Sequence, residues 1–167
     1  MTAEKTLVLD AVQVKKKIRR MAFEIYENHF SEKEIIIAGI DGQGYELAKL
    51  IKKEIDQISD LNTNLVKVSL NKTAPQQGEI NTDKESSVFK KKSVILVDDV
   101  SNTGRTLAYA LKPFLSVEVK RIEAAVLVNR SHTAFPVQVK YTGYELATTL
   151  KEHVQVVLGK EMSVYLL

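Results

Sequence analysis

Two adjacent carboxylates, Asp98 and Asp99, follow directly on four apolar residues, Val94-Ile95-Leu96-Val97. After Val100 comes Ser101-Asn102-Thr103-Gly104-Arg105-Thr106, a run of small, hydroxylated and turn-permissive residues. Such a run leading into a helix offers unpaired backbone N–H groups to an anion, and the helix dipole adds partial positive charge. Gly104 lets the backbone approach a ligand closely. The hydroxyls of Thr103 and Thr106 can donate, and Arg105 supplies a cation. The two aspartates, one loop-width away, can accept hydrogen bonds from sugar hydroxyls. A phosphate on one side and vicinal hydroxyls on the other describe a ribose 5-phosphate. An Asp-Asp pair at a strand end has other readings when taken alone: it can bind Mg²⁺ or cap a helix.

The elements that must position these residues follow from periodicity. Residues 94–97 form a short buried strand. Leu107, Leu111 and Phe114 mark the helix after it, which Pro113 kinks or ends. Near the start, Asp10 is an N-cap with Gln13 three residues on, as in a capping box. Val14, Ile18, Met21, Ala22 and Ile25 then recur at helical spacing. Lys15, Lys16, Lys17, Arg19 and Arg20 crowd that helix and read as a solvated face rather than a binding patch. Residues 35–40 read as a buried strand, and Leu47, Ala48, Ile51, Ile55 and Ile58 mark the next helix. Between them, Asp41-Gly42-Gln43-Gly44 is either a second phosphate cradle or a plain turn. It lacks the three-glycine spacing of a dinucleotide fingerprint.

Residues 65–70 read as a strand with Val66, Val68 and Leu70 on one face. The polar connection 71–92 carries Pro75, Gly78 and the lysines 72, 84, 90, 91 and 92. A connection that long in a compact domain is functional or mobile, and its part near Lys72 reads as a hairpin or lid. A further buried strand spans 122–128 and ends in Asn129-Arg130-Ser131-His132. Residues 137–141, 154–158 and 164–167 read as later strands. Strands alternating with helices imply a parallel sheet with right-handed crossovers, which binds ligands at the carboxyl ends of its strands. Residues 41–44, Lys72, residues 98–106 and Arg130 should therefore meet at one rim. His132 reads as a surface residue rather than a proton carrier.

Composition narrows the classes. The 167 residues suit one domain with a sizeable core, and 44% hydrophobic with 27% charged residues is ordinary for a globular protein. There is no cysteine, hence neither a disulfide nor thiolate chemistry, which suits a reducing, cytoplasmic setting. The start, Met1-Thr2-Ala3-Glu4-Lys5, leads into only a short apolar run and does not read as a signal peptide. No apolar stretch approaches ~20 residues, so no membrane span is expected. The net charge of +3 permits an anionic ligand or RNA without demanding either.

The run Val97-Asp98-Asp99-Val100-Ser101-Asn102-Thr103-Gly104-Arg105-Thr106 resembles the phosphoribosyl pyrophosphate (PRPP) signature of the type I phosphoribosyltransferases. The opening Val-Leu-Asp, the Ala-Gly-Ile strand, Gly-Tyr-Glu-Leu-Ala-Lys-Leu-Ile, Ala-Val-Leu-Val-Asn-Arg-Ser-His and the later Phe-Pro and Tyr-Thr-Gly extend the likeness over nearly the whole chain. Together they are similar to the branch of bifunctional pyrimidine operon attenuators with uracil phosphoribosyltransferase activity. The resemblance implies one three-layer, Rossmann-like α/β domain with a mainly parallel sheet and a small hood. It also implies transfer of ribose 5-phosphate from PRPP to a nucleobase, a pyrimidine such as uracil, with Mg²⁺ and release of pyrophosphate. By the same resemblance Asp98 and Asp99 hold ribose hydroxyls, Ser101 to Thr106 wrap the 5-phosphate, Asp41, Gly42, Gln43 and Gly44 face the pyrophosphate, and residues 141–149 lie near the base. Lys72 is the expected cation closing over the pyrophosphate, with Arg130 and Tyr144 at the rim and base. A homodimer is implied as well.

Three departures from the family pattern stand out. Its pyrophosphate loop, Lys-Thr-Arg-Gly in uracil members, is Asp41-Gly42-Gln43-Gly44 here. Like charges at ~4 Å cost about 4 kcal/mol at intermediate dielectric, a repulsion Mg²⁺ would bridge. Its catalytic loop, Tyr-Arg-Asp-Asp, is Leu70-Asn71-Lys72-Thr73, and a lysine does not replace arginine's fork. Its Gly-Lys near the base is Gly143-Tyr144. Beside the transferase reading stand two others: a PRPP- or nucleoside-monophosphate-binding protein of weak or no catalytic power, and a nucleotide-sensing RNA-binding regulator of pyrimidine genes.

Overall fold

A computed structural model describes residues 4–74 and 78–167. Pro75, singled out above, and the opening residues 1–3 lie outside them. The elements run β1 (Thr6–Leu9), α1 (Ala11–His29), β2 (Glu34–Ile40), α2 (Gln43–Ile58), β3 (Asn62–Ser69), β4 (Asn81–Thr82), β5 (Ser93–Ser101), α3 (Arg105–Ala110), α4 (Lys112–Leu115), β6 (Arg121–Asn129), β7 (Val139–Glu145), β8 (Val154–Val157) and β9 (Ser163–Leu166), with a 3₁₀ turn at Ser86–Phe89. The main sheet has the order β4-β3-β2-β5-β6-β7 and is parallel except for β4. A second, antiparallel sheet, β1-β9-β8, is the expected small hood.

The strand sequences explain the layers. In β2, Ile35 and Ile37 face one core cluster and Ile36, Ala38 and Ile40 face the other. β5 divides in the same way, with Ile95 and Val97 on one side and Val94 and Leu96 on the other. A strand apolar on both faces must be covered on both. One cluster includes Val14, Ile18 and Met21 of α1, Leu47 and Ile51 of α2, and Val156 and Val164 of the hood. The other includes Leu107 of α3, Phe114 of α4 and Phe89 of the 3₁₀ turn.

α1 starts as expected: Asp10 accepts the Gln13 N–H, and the Gln13 side chain accepts the Asp10 N–H. Arg20 fastens this helix to β7 by donating to the carbonyls of Thr142 and Gly143. The start of the 71–92 connection is indeed a hairpin, since β4 pairs antiparallel with the end of β3.

Several boundaries differ from the sequence reading. Residues 6–9 form a strand, β1, because β9 supplies a partner far away in sequence. β5 extends four residues past Val97, so Asp98 and Asp99 lie within the strand, paired alongside β6 as far as Ser101–Asn129. The helix after the signature is two short helices that meet at Leu111, with Pro113 in the first turn of the second. β7 begins at Val139 rather than 137. The Val137 N–H is turned back to the Phe135 carbonyl, and Pro136 has no N–H to offer a ladder. The strand then continues to Glu145, so most of the segment expected beside a base is sheet.

At the amino ends of β5 and β6, opposite the strand ends expected to bind ligand, a polar cluster ties the layers together. His29 is fully buried; its Nδ1 meets Glu32 and its Nε2 meets Glu123 Oε1 at 2.5 Å. Ser93 donates to Glu32 at 2.6 Å, Lys120 pairs with it at 3.1 Å, and the Tyr141 hydroxyl donates to Glu123 at 3.1 Å. Burial works against ionising Glu32, but the Ser93 and His29 hydrogen bonds and the Lys120 ammonium outweigh it and hold the carboxyl down at about 2. Because the folded value lies below the unfolded one, this group's contribution is full above pH 4.5 and is lost as pH falls towards 2. Urea unfolding at pH 7 and pH 3 should show wild type losing about 1–2 kcal/mol more than Glu32→Gln, after allowing for solvent screening.

Candidate functional site

β5 delivers Asp98 to the carboxyl rim of the sheet, where the chain around it leaves almost no room. Its side chain is 2% exposed. On one side lies the start of α2: a Cβ added to Gly44 would stand 2.8 Å from Asp98 Oδ1 and 3.0 Å from the Val97 carbonyl oxygen. Glycine at 44 is therefore what lets the first turn of α2 close on β5. On the other side Lys72 Nζ lies 2.9 Å from Asp98 Oδ1 and 3.7 Å from Asp99 Oδ1. The Asp99 N–H also donates to Asp98 Oδ1 at 2.9 Å. Burial, then the neighbouring charge of Asp99, push the Asp98 carboxyl up to about 7, against the pull of Lys72. Burial disfavours the Lys72 ammonium, but Asp98 and Asp99 more than compensate and raise its pKa.

Beyond the carboxylates, Asp98 and residues 100–107 surround a small concavity of about 80 Å³. That is room for a small group rather than for a whole nucleotide, since pockets enclosing larger ligands run to ~300–1,000 Å³. Gly104 makes its tight curve with φ +84°, a region L side chains rarely adopt. The Thr103 hydroxyl accepts the Arg105 N–H, and the Thr103 carbonyl accepts the N–H groups of Ala134 and Phe135, which brace the loop from behind. Arg105 contributes its backbone to this curve, but its guanidinium turns away. It donates to the carbonyls of Lys72 and Ala74 and lies over the Tyr109 ring.

The remaining expected site residues divide. Asp41 is exposed, accepts the N–H of Gly42, whose φ is +97°, and faces Lys67 at 3.9 Å. Gln43 opens α2, and its side-chain oxygen accepts the Leu158 N–H, tying this loop to the end of β8. Arg130 is not an open cation at the rim. It is buried, and its guanidinium donates to the Thr148 hydroxyl and to the carbonyls of Thr149 and Glu152. His132 meets the same Thr148 hydroxyl at 3.0 Å. Tyr144 packs against the core on the α1 side, with Lys17 above its ring. A cavity of about 450 Å³ lies between residues 130–132 and 145–148, beside the end of β5 through the Arg130 N–H to Ser101 carbonyl bond. Sequence reading did not anticipate Tyr109 beneath Arg105 or the bond of Gln43 to Leu158, because neither has a local pattern. Lys15, Lys16, Arg19 and Lys53 line a groove of about 420 Å³ between α1 and α2 that shares no residue with the rim loops.

Among the described residues no group of three or more His, Cys, Asp or Glu side chains is arranged to hold a metal ion, and no helix is long and apolar enough to cross a membrane.

A mainly parallel α/β sheet with an acidic pair and a tight glycine loop at its carboxyl rim is of the class that binds ligands at its strand ends. The chain belongs to the phosphoribosyl transferase domain family, whose model matches residues 6–158. It is 32% identical over 158 residues to the bifunctional protein PyrR of Haemophilus ducreyi, covering 90% of this chain and 88% of that one. To the bifunctional protein PyrR of Streptococcus thermophilus it is 29% identical, over 93% and 91%. In fold it is similar to a hypoxanthine-guanine phosphoribosyltransferase from Bacillus anthracis (TM-score 0.72, 18% identity, 87% of this chain and 84% of that one). It is also similar to a hypoxanthine phosphoribosyl transferase from Trypanosoma cruzi (TM-score 0.75, 11% identity, 86% and 79%).

Two outcomes are expected from this geometry. Gly44→Ala should destabilise the fold by about 1–3 kcal/mol, the range for forcing extra atoms into a packed site, as read by urea unfolding. For Asp98 the folded pKa lies above the unfolded value. The folded state then holds the extra proton between pH 4 and 7, and stability falls as pH rises through that window. Asp98→Asn should therefore raise the thermal midpoint more at pH 8 than at pH 4.

Proposed function

We propose that this chain is a phosphoribosyltransferase acting as one domain, which transfers ribose 5-phosphate from PRPP to a nucleobase and releases pyrophosphate. The observation that carries this reading is the buried Asp98 with Asp99 beside a phosphate-sized loop. In it, Ser101, Asn102, Thr103, Gly104 and Thr106 take the 5-phosphate through backbone N–H groups and hydroxyls. Asp98 and Asp99 accept hydrogen bonds from the ribose hydroxyls, and their charge favours the cationic character that develops in the ring as the anomeric bond breaks. Lys72 supplies a cation for the departing pyrophosphate. The base lies in the cavity between residues 130–132 and 145–148, and the likeness to PyrR favours a pyrimidine such as uracil. Arg130 and His132 hold Thr148 and so shape that cavity, while Tyr144 supports it from the α1 side. The work of the protein is mainly positioning.

Asp98 and Asp99 are hard oxygen donors and fit Mg²⁺ of the kind held by one or two carboxylates together with substrate phosphates. When bound, the ion supplies charge neutralisation to the pyrophosphate oxygens. Asp41 stands where a carboxylate repels that group. Asp41→Lys should therefore strengthen PRPP binding several-fold and leave nucleoside monophosphate binding unchanged by calorimetry.

A second reading is favoured by the same loop: a nucleotide-binding protein of low turnover, in which Asp41 replaces a cation and Gln43 is bonded to Leu158. Incubation with PRPP, Mg²⁺ and a panel of bases distinguishes the two. Pyrophosphate release with uracil or another pyrimidine supports the transferase. PRPP binding without release for any base supports the second reading. For the phosphate loop, Thr103→Val and Thr106→Val should each weaken ribose 5-phosphate binding by about 1–3 kcal/mol, the usual result of removing one partner from a buried polar group. Unchanged calorimetric affinity in both variants would remove this loop from the site.

A further inference from the structure

The Arg105 side chain has two possible duties, and the geometry separates them. A cation serving the 5-phosphate would lie over the loop formed by residues 101–106. Instead the guanidinium donates to the carbonyls of Lys72 and Ala74 and stacks over Tyr109. The Lys72 carbonyl lies within, and the Ala74 carbonyl just after, the turn in which Asn71 Oδ1 accepts both the N–H and the hydroxyl of Thr73. The same stretch of backbone carries Lys72, whose ammonium rests on Asp98 and Asp99. A planar fork that bridges two carbonyls fixes a backbone in a way that a single ammonium cannot.

We propose that Arg105 is a positioning residue, a latch that holds the 71–74 backbone so that Lys72 sits on Asp98 and Asp99 until ribose hydroxyls take its place. The inference rests on the reading of these two aspartates as ribose-facing. A ligand bearing a diol must displace the Lys72 ammonium from Asp98. The displaced ammonium is then released beside the anomeric carbon, where a pyrophosphate would lie. The latch sets both the cost of entry and the reach of Lys72 afterwards. Arg105 thus works through Lys72 and makes no contact with the reacting atoms.

The two duties predict opposite signs. Removing a phosphate ligand weakens ribose 5-phosphate binding. Removing a latch frees Asp98 and Asp99 and strengthens it, while PRPP turnover falls because Lys72 is no longer placed. The test uses the full chain with Arg105→Met and Arg105→Lys, and ribose 5-phosphate as the calorimetric probe. Hydrogen exchange of the backbone amides at 71–74 is followed alongside, with the β5 amides as the control for folding. The latch predicts at least threefold tighter ribose 5-phosphate binding in both variants, and at least tenfold faster exchange at 71–74 with β5 unchanged. It also predicts a lower kcat with little change in KM for PRPP. Weaker sugar phosphate binding in Arg105→Met, with affinity retained in Arg105→Lys, would make Arg105 a phosphate ligand, and unchanged binding in both variants would leave it neither ligand nor latch; either result overturns the proposal. Should ribose 5-phosphate fail to bind wild type, the functional reading falls and with it the displacement of Lys72 by ribose hydroxyls; the exchange result then decides only whether Arg105 anchors the 71–74 backbone, faster exchange upholding that anchor and unchanged exchange ending it.

Discussion

Everything at the rim depends on placing one carboxylate, Asp98, inside the protein. A buried carboxylate is costly unless a cation or hydrogen-bond donors face it. Here three separate parts of the chain answer that requirement. β5 carries Asp98 to the sheet edge and supplies the Asp99 N–H. The connection after β3 supplies the Lys72 ammonium. α2 closes the third side with a glycine, Gly44, because a Cβ there would stand only 2.8 Å from Asp98 Oδ1. The ends of β2, β3 and β5 are thereby brought to one point, which a parallel sheet permits because its strand ends lie on the same side.

This arrangement is held from outside the site as well. Arg130 and His132 fix Thr148, and Gln43 fixes Leu158, so both loops approaching the rim are attached to the β7–β8 region. Thr103 is braced by the N–H groups of Ala134 and Phe135. At the far end of the sheet, His29, Glu32, Glu123 and Ser93 hold the amino ends of the same strands. Strand ends pinned at both edges give the loops between them a fixed frame. Positioning of that kind is what a group transfer with little covalent participation by the protein requires.

Much of this was legible in the sequence, for identifiable reasons. Helical spacing of Val14, Ile18, Met21 and Ile25, and a capping box at Asp10, mark α1 because both are local patterns. The Ser101–Thr106 run marks a tight loop because Gly104 must take a positive φ. Non-local features were not legible. β1 has too few residues to announce itself and exists through β9. β7 could not be set in register without the turn at Phe135 to Val137. The aim of the cations was not legible either. Arg105 and Arg130 are the residue type that binds phosphate, yet each guanidinium is aimed at backbone carbonyls, a choice set by tertiary neighbours rather than by spacing.

Recognition of the ribose hydroxyls by Asp98 and Asp99 is the centre of the proposed function. The most direct measurement compares the calorimetric affinities of wild type for ribose 5-phosphate and 2-deoxyribose 5-phosphate. Loss of one hydroxyl that donates to a carboxylate removes about 1.5–3 kcal/mol. Roughly 10- to 100-fold weaker binding of the deoxy sugar is therefore expected. Equal affinity for the two sugars would contradict it.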